Sequence, residues 1–181
     1  MKAVVKEIIS TVLYLAAVMC AIYLLITYVG QRTVVNGDSM EPTLSSQDNL
    51  IVDKLTYRFQ DPERFDIIVF PFRYKENTFY IKRIIGLPGE RVRIDEKGVI
   101  YINNKELTES YGREVIKPQF IGLAAKEIQL GSDEYFVLGD NRNNSSDSRV
   151  PEVGNIKRDE IIGRAWVRIW PLKEFGVLKH Q

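Results

Sequence analysis

"IISTVLYLAAVMCAIYLLITYV", residues 8–29, carries no charged side chain. About 20 such residues in a helix span roughly 30 Å, the hydrocarbon thickness of a bilayer. A helix packed into a protein core keeps a polar face, and this stretch shows none. A cleaved leader has a shorter apolar part and ends in small residues suited to cutting, whereas "GQRTVVNG" follows here. The stretch therefore predicts a retained membrane span, with residues 1–7 as a tail on one side and residues 30–181 on the other. Lys2 and Lys6 precede the span and Arg32 follows it. That bias places the N-terminus in the cytoplasm and the larger part of the chain outside.

Composition excludes several function classes. The chain has 181 residues, 45% of them hydrophobic, and a formal net charge of +1. Such a length fits one domain with an appendage, and a charge near zero gives no sign of a nucleic-acid partner. Cys20, the single cysteine, sits mid-span, where it packs as a small apolar side chain. That leaves no disulfide framework and no thiol nucleophile beyond the span. His180, the single histidine, is the second-last residue, where chains fray. A Ser-His-Asp triad and a His/Cys zinc site are both disfavoured, and no metal or cofactor is expected.

Beyond the span the pattern is extended. "NLIVDKL", "FDIIVFPF", "TFYIKRII", "RVRIDEKGVIYINN", "EYFVLGD" and "IIGRAWVRIW" are short β-branched or aromatic runs separated by Pro, Gly, Asn and Asp. "DEKG" reads as a hairpin turn, with Gly98 supplying a positive φ. No repeat, low-complexity tract or long helix interrupts them. The fold class is mainly β: an N-terminal transmembrane helix, then a mostly antiparallel core. The more polar stretch from about 91 to 131 forms a small inserted region.

Three stretches hold candidate chemistry. In "NGDSMEPTL", Ser39 becomes nucleophilic only if a neighbour takes its proton, and the remaining bases are carboxylates and lysines. A serine between a turn and a proline is also ordinary loop. In "TFYIKRIIG", alternation puts Tyr80, Lys82 and Ile84 on one strand face. Lys82 is then either an edge lysine whose amine reaches solvent, or an amine kept neutral by desolvation, with the like charge of Arg83 assisting. A free lysine is under about 0.1% neutral at pH 7, so the second reading requires burial. "GDNRNNSSDSR", residues 139–149, reads as a solvated loop or as a network fixed by Asp140, Arg142, Asp147 and Arg149. Asn143 and Asn144 open glycosylation-type tripeptides. Calcium-loop spacing fails, because Ser145 stands where that loop needs glycine.

Taken together and in order, "GDSMEPTL", "YIKRIIGLPGE" and "GDNRNNSSDSR" after an N-terminal span resemble the bacterial type I signal peptidases, in their compact one-span form. The resemblance implies a membrane-bound serine endopeptidase that removes signal peptides from exported preproteins. It implies Ser39 as nucleophile, Lys82 as general base, Ser145 as a residue orienting the lysine, and Asp147 with Arg149 as a structural pair. Some members bind the oxyanion with a hydroxyl two residues before the nucleophile. Gly37 stands there, so the Ser39 backbone N–H would carry more of that work. Comparison with the family also places Val35, Met40, Leu44, Tyr80 and Ile81 as walls of shallow pockets suited to small residues before the cut. Met40 and Leu44 would offer apolar surface to substrate or bilayer. The implied partners are secretory preproteins and the lipid bilayer. Two alternatives share parts of the pattern. A catalytically silent tethered β-domain that binds exported chains would not need both Ser39 and Lys82. A self-cleaving repressor would carry a DNA-binding module where the span lies.

Overall fold

The structure, a computed structural model, describes residues 2–178; His180 lies outside them. Helix α1 runs from Lys2 to Tyr28, so it takes in part of the expected tail as well as the apolar run. Val4–Leu24 is long and apolar enough to cross a membrane, and none of it is buried against the rest of the chain. Among the described residues nothing covers Val4–Leu24, which is what a lipid-facing segment requires.

Among the described residues twelve strands follow, β1 to β12 in chain order: Gly30–Val34, Asn49–Asp53, Ile67–Pro71, Phe79–Gly86, Arg91–Ile94, Ile100–Ile102, Lys105–Glu106, Ile128–Gln129, Glu134–Leu138, Ile156–Lys157, Gly163–Trp170 and Gly176–Val177. Their ladders are antiparallel. The main sheet has the order β1-β2-β11-β3-β4-β9-β10, with β12 on β11; the second is β7-β6-β5-β8. Each run read as a strand is one, and "RVRIDEKGVIYINN" folds as the β5–β6 hairpin. Gly98 has φ +80° at its turn, and a Cβ there would stand 2.3 Å from the Ile116 carbonyl oxygen.

Strand β1 was not legible. It pairs with β2, yet Gln31, Arg32 and Val34 are exposed and no face of it is buried. By contrast "IIVF" of β3 is buried on both faces, as befits a central strand. Bulges in β11 between Ala165 and Val167, and between Arg168 and Trp170, bend that long strand.

Three apolar clusters hold the sheets. One joins the two sheets through Ile85, Val92, Ile94, Phe136 and Leu138. A second packs Ile68, Phe70, Ile84 and Val137. The third lies behind the serine turn and contains Val35, Met40, Leu44, Leu50 and Ile67. Full burial of one such aliphatic side chain contributes about 1.5–3 kcal/mol. The Ser39 turn is therefore seated on core.

Candidate active site

Two elements distant in sequence meet here. Ser39 sits in the turn after β1, closed by a hydrogen bond from the Glu41 N–H to the Asp38 carbonyl at 3.1 Å. Lys82 lies on β4, opposite Ile68 of β3. Its Nζ donates to Ser39 Oγ at 2.8 Å and to its neighbour's carbonyl, Ile81 O, at 3.0 Å. The Tyr80 ring centroid lies 5.1 Å from the same nitrogen.

Lys82 is 4% exposed. Burial drives its pKa down from 10.5 to about 8; the Asp147 and Asp140 carboxylates oppose the fall, and the Arg149 guanidinium assists it. At pH 7 about one such amine in ten is neutral, against fewer than about one in a thousand for a free lysine. The like charge expected from Arg83 belongs instead to Arg149. Arg83 points to the opposite face of β4, where Asp140 holds it through bonds of 2.9 and 2.6 Å.

The 139–149 loop resolves into separate jobs. A Cβ on Gly139 would come within 2.4 Å of the Ser39 carbonyl oxygen and 2.2 Å of Ser145 Oγ, so the loop can approach the serine turn only with glycine there. Asn141 fixes that turn twice, through its N–H to Ser39 O and its Nδ2 to Asp38 O, both at 3.0 Å. Arg149 grips Asp147 in a two-pronged bond of 2.7 and 2.8 Å, while Asp147 also accepts from the Gly139 N–H. The four-residue network expected within the loop is therefore partly external: Asp140 pairs with Arg83, and Arg142 with Glu109. Among the described residues Ser145 Oγ is buried and makes no hydrogen bond; Lys82 Nζ bonds to Ser39 Oγ and the Ile81 carbonyl. Gly139 and Asn141 went unassigned in the sequence. The signal was a Gly-Asp-Asn run directly after the buried "YFVL", where a chain leaving a core strand must make a close approach.

A cleft of about 620 Å³ opens beside Ser39 and Lys82, lined by Val34, Val35 and Gly37 on one side and by Phe79, Tyr80 and Ile81 on the other. Asn144 and Ser146 also line it. Val35, Tyr80 and Ile81 are thus cleft walls. Met40 and Leu44 are not. They are 1% and 0% exposed and pack behind the wall in the Val35 cluster, so they offer no surface to substrate or bilayer. Strand β4 pairs with β3 over Phe79–Arg83 and with β9 only from Arg83 onward, which leaves Phe79–Lys82 as a sheet edge facing the cleft.

A serine hydroxyl and a buried amine thus meet beside an open cleft. The family model described as signal peptidase, peptidase S26, matches residues 6–170, and the chain belongs to that family. It is 42% identical to the probable signal peptidase I-2 of Synechocystis over 157 residues, covering 84% of this chain and 68% of that one. It is 39% identical to the signal peptidase I of Bacillus caldolyticus over 167 residues, covering 87% and 89%. A solved signal peptidase I from Enterococcus faecalis is 34% identical with a TM-score of 0.48, over 58% of this chain and 97% of that one. The chain is accordingly a membrane-associated serine endopeptidase that acts on secretory preproteins and removes their signal peptides.

Proposed function

We propose that Ser39 is the nucleophile of this peptidase and Lys82 its general base. The observation that carries this reading is the 2.8 Å hydrogen bond between an amine 4% exposed and a serine hydroxyl at the edge of an open cleft. Neutral Lys82 takes the Ser39 proton as Oγ attacks the scissile carbonyl. The Ser39 backbone N–H stabilises the oxyanion, with Gly37, at φ +94°, shaping the approach. The Lys82 ammonium then protonates the departing amine. The resulting Ser39 ester is hydrolysed by water that Lys82 activates.

The preprotein lies extended in the cleft and adds its backbone to the free edge of Phe79–Lys82, so alternate side chains fall toward the walls. Val35, Tyr80 and Ile81 leave room for alanine, glycine or serine at the residue before the cut and at the one two earlier. Asp147 and Arg149 hold the loop that carries Gly139 and Asn141. Ser145, whose buried Oγ is without a partner, orients Lys82, and Ser145→Ala should lower turnover severalfold with the fold intact.

Helix α1 ends at Tyr28 and β1 starts at Gly30, so Ser39 stands close to the bilayer surface. The protein sits in the cell membrane with its N-terminus cytoplasmic and the β-domain outside, where exported precursors emerge with their signal helices still embedded; the Lys2 and Lys6 bias supports this reading. The test is incubation of the purified protein with a secretory preprotein in detergent or lipid. Cleavage is expected from the unmodified protein and none from Ser39→Ala. A fully active Ser39→Ala protein would overturn the assignment.

A further inference from the structure

The segment after β7 of the second sheet, "ESYGREV", residues 109–115, lies against the catalytic turn. It touches the Ser39 turn, the 139–149 loop and the strand that carries Lys82. Glu109 accepts from both terminal nitrogens of Arg142, with side chains 14% and 2% exposed. Arg142 is the residue after Asn141, which fixes Ser39. The Tyr111 ring lies against the Arg83 guanidinium, 3.6 Å from its centroid to Cζ, and Arg83 follows Lys82. The Arg113 N–H donates to the Asp140 carbonyl at 2.8 Å, and its side chain pairs with Glu41, two residues past Ser39. Glu114 accepts from the Asn143 N–H at 3.2 Å, and the Val115 carbonyl accepts from Asn143 Nδ2 at 3.0 Å.

Glu109, Tyr111 and Arg113 each meet a different part of the site. An insert tied only to its own sheet would need one such anchor.

We infer that residues 109–115 form a strap by which the second sheet positions the dyad, with Glu109 and Arg113 as positioning residues for the cleavage reaction. The inference rests on the reading of Ser39 as nucleophile. With Glu109 neutralised, Arg142 loses its charge partner and Asn141 its fixed base, so the Ser39 turn drifts relative to Lys82. Misplacement of about 1 Å costs up to about 100-fold in the chemical step. The Arg113–Glu41 pair is half exposed, so its loss costs only severalfold.

The experiment measures kcat and KM of the full-length enzyme in lipid on one preprotein, per folded enzyme as counted by cooperative thermal unfolding. Glu109→Gln should lower kcat at least about tenfold with KM little changed. Arg113→Ala and Glu41→Ala should each lower kcat severalfold, and their combination no further than either alone, which marks a single linkage. Glu127→Gln removes an exposed pair with Arg91 in the same sheet and should change nothing. Should Glu109→Gln fail to fold, the Arg113 and Glu41 cycle decides. Unchanged kcat per folded enzyme in Arg113→Ala and Glu41→Ala, or a fall only in the folded fraction, overturns the strap. Turnover retained by Ser39→Ala overturns the nucleophile reading instead, and is scored separately.

Discussion

Lys82 and Arg83 are neighbours on β4, both buried, and the protein treats their two charges in opposite ways. On one face Arg83 is 0% exposed, as is the Asp140 that meets it with two hydrogen bonds, and the Tyr111 ring covers its plane. On the other face Lys82 has a hydroxyl, a carbonyl and an aromatic ring, with no carboxylate in its hydrogen-bonding shell. Guanidinium cannot release its proton at working pH, so burying it demands a full ionic partner. An ammonium can release its proton, and burial without such a partner makes the neutral form accessible. One strand thus carries a cation that holds the fold and an amine whose neutral form burial makes accessible.

Breaking the reactive side should have the largest effect. Ser39→Ala and Lys82→Ala are each expected to lower preprotein cleavage by several orders of magnitude, and the double variant little further, because members of one catalytic unit fail together. Lys82→Arg should be as poor, since it restores charge but not basicity. Single-turnover cleavage assays check all four.

Breaking the structural side should cost stability rather than chemistry alone. Arg83→Met leaves the Asp140 carboxylate buried without its partner and should destabilise by about 3–5 kcal/mol. Adding Asp140→Leu should recover much of that, because the pair together is close to neutral against a well-packed apolar substitute. Thermal unfolding of the single and double variants gives the comparison.

The stability of the two faces should also differ in pH dependence. Unfolded, Lys82 keeps its proton up to about 10.5, whereas folded it loses it near 8. Between those values the unfolded chain binds more protons, so stability rises with pH across that window and is lower below it by roughly 3 kcal/mol. Lys82→Met should remove that rise while the Arg83 variants retain it, as measured by unfolding from pH 7 to pH 10.5.

The smallest effect concerns the walls. Val35→Ala or Ile81→Ala should relax the preference for small residues before the cut by about 10-fold, since one methylene in such a pocket is worth about 1–3 kcal/mol. Cleavage sites of preprotein variants, read by mass spectrometry, test it.

Much of this was written in the sequence, and the exceptions have physical causes. The core strands announce themselves because β-branched runs between turn residues have few other uses. Strand β1 is hidden because an edge strand with both faces exposed needs no apolar alternation. Lys82 drew notice because a charge among apolar neighbours has to be explained. The partner of Arg83 lies 57 residues away, a pairing that only the folded sheet reveals. Met40 and Leu44 show the opposite limit: an apolar residue beside a nucleophile reads equally as pocket and as core, and burial alone distinguishes them.

The most direct test of a buried, proton-releasing Lys82 is its own titration. The lysine ε-carbons would be labelled with 13C in the full-length protein, Lys82 assigned by its loss in Lys82→Arg, and its shift followed from pH 6 to 11. An inflection near 8 is expected. An inflection at the ordinary 10.5 would show that burial does not free the amine to act as a base, and would contradict the account.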